Sequence, residues 1–183
     1  MVTRIAIPLL ALALLVASAP ARAEPDGTER YELGNGLRVL LRPVSGATEV
    51  AVVVVYDVGD DHDPLGRSGL AHLVEHCYVT AAAGMAPART AEAMMRAYPQ
   101  RWNAQTGSRF SVFAFVAPAA SLETELADAA ARMGSLAIAQ EDLDREKPRL
   151  MQELHAMYAG VPAIAARNRV RELVRPSALG ARR

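Results

Sequence analysis

The residues most able to do chemistry lie in one short run, His72-Leu73-Val74-Glu75-His76, which holds two of the chain's four histidines. On a helix, positions i and i+4 share one face a turn apart. Two imidazoles so placed can bind one zinc ion at about 2.0–2.1 Å each. Glu75, three residues after His72, lies on the same side. A catalytic zinc takes three protein ligands and leaves a position for water, whose pKa it brings to about neutrality. A carboxylate beside that water can take its proton and later deliver it to a leaving amine. Glu75 is therefore a candidate general base. The same five residues also describe a solvent-facing helix patch, so a third ligand from elsewhere in the chain is the discriminating feature.

Several elements must position this run. Residues 31–33 and 37–41 flank Asn35-Gly36, a dipeptide suited to a tight hairpin turn. Residues 49–58 are rich in valine and read as a strand buried on both faces. Residues 57–67 form a loop, and Ser68 is placed to cap a helix running to about Val79. The stretch 81–87 interrupts the helical pattern. A second helix is expected from Thr90 to Tyr98 with Met94 and Met95 on its core face, then a connector over 102–107. A strand is expected over 110–116, ended by Pro118. A third helix should run over 121–138, with Glu123 and Glu125 favoured by its dipole. A fourth should span 141–158 with Gly160 as its stop, and a short one 168–174. The order of these elements predicts an α+β fold: a mostly antiparallel sheet with helices packed on one face.

The motif is the inverted form of the commoner zincin sequence. Leu33-Gly34-Asn35-Gly36-Leu37-Arg38-Val39, Gly66-Arg67-Ser68-Gly69-Leu70-Ala71 and Asn103-Ala104-Gln105-Thr106 accompany it. Together these segments resemble the pitrilysin, insulin-degrading and mitochondrial processing peptidase family of inverted-zinc metallopeptidases. The resemblance covers about Tyr31 to Val174. It implies a pitrilysin-like N-terminal domain, incomplete here, that hydrolyses peptide bonds with one zinc ion. It implies Glu153, 77 residues beyond His76, as the third ligand beside His72 and His76. It also implies Glu146 as a supporting acid, seven residues earlier and so near the same helix face. Pro148 lies between the two and predicts a kink or a restart of that helix. Asn103 either contacts substrate backbone or simply occupies a turn. An extended peptide would pair beside the strand at 110–116. Family members enclose substrate between two related domains, so a second domain or subunit is the expected partner. The alternative is a non-catalytic, peptide-binding subunit of an active partner.

Composition bounds the rest. The chain has 183 residues, 51% hydrophobic and 22% charged, enough for one domain with a core. Basic and acidic residues balance at 20 each, which gives no electrostatic reason to expect a nucleic-acid partner. Arg4, the apolar run 5–16 and Ala21-Arg22-Ala23 read as a cleaved secretory signal. The expected organisation is thus a signal over 1–23 and a zinc-binding domain over 24–183, secreted or periplasmic, with no membrane association after cleavage. Cys77 is the single cysteine, so no internal disulfide can form. It points about 100° away from His76 on a helix and reads as a buried apolar thiol. His62 reads as a solvated loop residue and His155 as an exposed one. Phe110, Phe113 and Phe115 read as core.

Overall fold

Alternating side chains and a single apolar face organise the main sheet. The computed structural model describes residues 22–23, 27–64, 66–99 and 101–158, together with Ala166 and Val170. The signal segment up to Ala21, the stop at Gly160 and the final helix over 168–174, apart from Val170, lie outside the described residues. The chain divides into two units, 1–47 and 48–183.

The first unit contains β1 (Arg22–Ala23), β2 (Glu29–Glu32) and β3 (Arg38–Leu41), an antiparallel sheet in that order. Its hairpin is longer than a two-residue turn. The Gly36 amide donates to the Leu33 carbonyl, and the Leu33 amide to the Leu37 carbonyl. Gly36 takes a φ of 86°, open to glycine without a Cβ clash, and Asn35 accepts the Leu37 amide through its side chain.

The second unit carries the site. Strands β4 (Glu49–Tyr56), β6 (Trp102–Thr106) and β7 (Ser111–Pro118) form an antiparallel sheet in the order β4-β7-β6. The register pairs Val52 with Phe115 and Val54 with Phe113, and it sets Ala104 across from Phe113. This face packs on helices α1 (Leu70–Thr80), α2 (Ala91–Ala97) and α3 (Leu122–Ser135) through Tyr78, Val79, Met94 and Ala129. Tyr78 stacks on Phe113 at 3.7 Å between centroids, and Tyr56 meets both rings edge-on. A short ladder joins β5 (Ala82–Ala83) to β8 (Leu136–Ala137), and α4 (Gln140–Tyr158) follows.

Several local expectations change. β4 is buried on one face only: Val53 and Val55 are 59% and 63% exposed, because the helices cover a single side of the sheet. The expected connector at 102–107 is a strand, β6, since pairing with β7 overrides its weak local preference. The third helix ends at Ser135, where Leu136 turns extended to pair with Ala83. Met94 is buried but Met95 is half exposed, as neighbours on a helix must diverge. Phe110 is likewise exposed, whereas Phe113 is core.

Candidate metal centre

Helix α1 presents the His-x-x-Glu-His run, and both of its ends are held. At its start the Asp63 carboxylate accepts the amides of Gly69, Leu70 and Ala71, two of them at 2.6 and 2.8 Å. Ser68 is not the cap; Gly69 sits in the left-handed region at φ 89° and precedes the helix without a side-chain cap. Asp63 lies six residues upstream, beyond the window in which sequence capping rules operate, so only the loop's return brings it there. At the other end, buried Arg132 donates through Nη1 to the carbonyls of Tyr78 and Ala81, and Arg89 donates through Nε to Val79. These arginines satisfy acceptors that a helix end leaves open. Replacing Asp63 by Ala should destabilise the fold by about 1–2 kcal/mol. For a chain of this size that is a melting-temperature drop of about 2–8 °C. An unchanged melting curve would remove Asp63 from this role.

Helix α4 runs uninterrupted through Pro148, whose ring faces solvent and whose missing amide leaves only an exposed turn unpaired. The seam between α1 and α4 is apolar: Leu73, Cys77 and Leu150, flanked by Leu143 and Leu154. Glu146, Leu150 and Glu153 follow one another at i, i+4 and i+7, so the leucine that seals the seam also aims both acids at α1. Glu153 reaches both imidazoles, with Oε1 at 3.6 Å from His72 Nε2 and Oε2 at 3.3 Å from His76 Nε2. The donor atoms of His72, His76 and Glu153 all lie within 4.8 Å of one another. Ligands that share one tetrahedral zinc at about 2.0–2.2 Å stand about 3.3–3.6 Å apart. Each imidazole-to-carboxylate distance is of that size, the two being made to different oxygens of Glu153.

Behind this cluster, Glu146 is 1% exposed, with Oε2 at 3.5 Å from His76 Nδ1. His76 thus faces Glu153 with one ring nitrogen and Glu146 with the other. Such a carboxylate behind a ligating imidazole fixes its tautomer and orientation. Glu75 is buried and accepts the Thr106 hydroxyl of β6 at 2.5 Å. Thr106 lay in a stretch read as connector, and only the edge strand's register carries it to α1. Its one sequence signal was its place at the end of Asn103-Ala104-Gln105-Thr106.

Asn103 is exposed and alternates along β6 with Trp102, Ala104 and Thr106, so its side chain leaves the opposite face of the sheet. The structure does not bring it to the cluster of His72, His76 and Glu153. β7 has β4 on one side and β6 on the other, so a peptide cannot pair beside residues 110–116. β6 itself is an edge of the sheet among the described residues. Cys77 is fully buried, and burial first, then the charges of Glu146 and Asp142, push its thiol up to about 11. A protonated, enclosed thiol is an apolar filler of the seam rather than a ligand. His62 is half-buried and accepts the Gly59 amide through Nδ1, which corrects the solvated reading. His155 is exposed.

Residues 38–182 match the profile of the family described as Insulinase (Peptidase family M16). The chain belongs to peptidase family M16. The curated relative "Zinc protease PqqE" of Helicobacter pylori is 28% identical over 143 residues, 78% of this chain and 32% of that protein. The pitrilysin crystal structure superposes with a TM-score of 0.64 at 20% identity over 76% of this chain and 15% of that one. The first half of the periplasmic protease PqqL from Escherichia coli gives 0.66 at 18% identity, over 77% of this chain and 32% of that one. These similarities establish an α+β, pitrilysin-like M16 fold. The M16 chain spans about a third of the length of its curated relative. Among the described residues, no helix is long and apolar enough to cross a membrane.

Proposed function

We propose that this chain holds one zinc ion through His72, His76 and Glu153 and hydrolyses peptide bonds with Glu75 as general base. The observation that carries the reading is the convergence of three donor atoms from two helices within 4.8 Å. Zinc bound there supplies a Lewis acid for the scissile carbonyl and for the acidity of a water molecule. The chain's own residues do the rest. Glu75 takes the water's proton and returns it to the departing amine, while the Thr106 hydroxyl holds its Oε2 and limits its rotation. Glu146 steadies His76 from behind. An extended peptide adds along the open edge of β6, so that backbone pairing tolerates many sequences. Asn103, on that strand, is a substrate contact from the outward face.

That the PqqE relative is named a zinc protease supports zinc and proteolysis as the chemistry, and that PqqL is a periplasmic protease supports a secreted or periplasmic setting. In this reading the segment 1–23 is a cleaved signal, β1 (Arg22–Ala23) leaves with it, and residues 24–183 form the zinc-binding domain. Because the chain spans about a third of the curated relative, a second related domain or subunit completes the substrate chamber. The same fact favours one further reading, a peptide-binding subunit whose activity resides in its partner.

Metal content and peptide cleavage, measured on the wild type and His76→Ala side by side, test both. The expected result is about one zinc per wild-type chain, hydrolysis that follows the zinc, and loss of both in the variant. Bound zinc without turnover, together with co-purification of a related chain, would favour the subunit reading. A wild type that takes up no zinc would refute the metal centre.

A further inference from the structure

A string of polar contacts runs from the start of α4 to the back of His76. Asp142 is the third residue of α4, and its Oδ2 accepts the Ala139 amide at 2.9 Å, reaching back to the residue before the helix. Its Oδ1 accepts Arg145 Nη2 at 2.6 Å. Arg145 Nε donates at 3.0 Å to Oε1 of Glu146, whose Oε2 faces His76. Asp142 and Glu146 are both buried and stand four residues apart on one helix, where like charges repel. Arg145 lies between them and engages both. Arg149 stands further off, with Nε 3.8 Å from Glu146 Oε2.

We propose that Arg145 is a positioning residue of the metal centre: by holding Oε1 of Glu146 it leaves Oε2 for His76 Nδ1 and so tightens metal binding. A carboxylate's terminal torsion is broad and roughly two-fold. Without a partner on one oxygen, buried Glu146 turns to whichever donor remains, and Arg149 competes with His76 for the same oxygen. The guanidinium suits the task because its fixed fork addresses two carboxylates from two edges. A lysine, as a point charge, cannot span both. The anchor is rigid, since Asp142 is tied to the backbone at the helix start. The inference rests on the zinc reading above, but its measurement requires no catalysis.

Zinc affinity is measured by chelator competition on the wild type, Arg145→Gln, Glu146→Gln and the double variant, each checked for apo melting temperature. Arg145→Gln is expected to weaken zinc about tenfold, the lower end for groups that support a ligand. On the Glu146→Gln background the same change should add nothing, because the contact it serves is gone. Arg145→Lys should fall between wild type and Gln, and it carries the test if the Gln variant does not fold. Wild-type affinity in the Lys or Gln variant overturns the proposal. So does an equal loss on both backgrounds, which would mark general loosening of α4. Absence of zinc in the wild type defeats the metal centre and this inference together, whereas a silent Arg145 variant beside a zinc-loaded wild type defeats this inference alone.

Discussion

Glu75→Gln is expected to leave zinc bound and to lower peptide turnover by about 10²–10⁴-fold, the usual contribution of a general acid–base group. The amide is nearly isosteric with the carboxylate, and its oxygen can still accept the Thr106 hydroxyl, so the contact between α1 and β6 survives. None of the three converging donors is touched. What disappears is a group able to take a proton from water. The loss should therefore fall on kcat with metal content unchanged, read by elemental analysis beside a steady-state assay. Full turnover in this variant would reassign the base. Loss of zinc would mean that Glu75 belongs to the coordination sphere.

Glu153→Ala should separate metal binding from folding. Its side chain is 46% exposed, and ion pairs at such surfaces contribute about 0–1 kcal/mol. The metal-free variant should therefore melt close to the metal-free wild type. Zinc present at about a thousand times its dissociation constant stabilises a folded chain by about 4 kcal/mol. At about 2–4 °C per kcal/mol for a domain of this size, that is a rise of about 8–16 °C. Wild type should show this rise and lose it on chelation. Glu153→Ala should show little of it, because two imidazoles alone leave the ion without its carboxylate. A rise of the same size in the variant would remove Glu153 from the ligand set.

These expectations draw on two kinds of information. The helical spacing of His72, Glu75 and His76 is a property of adjacent residues, so the sequence displays it directly. The length of α4, continuing through Pro148, depends on the proline lying on the solvent face, which no local rule decides. After Glu49, β4 reads as an unbroken apolar run, and periodicity cannot say whether a layer covers its second side. β6 reads as a connector because short segments with Asn, Gln and Thr have weak strand preference until a neighbour pairs with them. Thr106 was missed for that reason, and Asp63 because its cap is closed by a loop rather than by helical spacing.

What the sequence determined by itself is the set of groups able to bind a metal, their spacing within each helix, and the family likeness that pairs them across 77 residues. What the tertiary structure decided is their meeting. Leu73, Cys77 and Leu150 seal α1 to α4, and that apolar seam fixes the rotation of both helices. Only with the rotation fixed do Glu146 and Glu153 face opposite nitrogens of one imidazole, and only with β6 in register does Thr106 reach Glu75. Spacing along a helix follows from bond geometry, whereas the angle between helices follows from side chains distant in the chain that exclude water together.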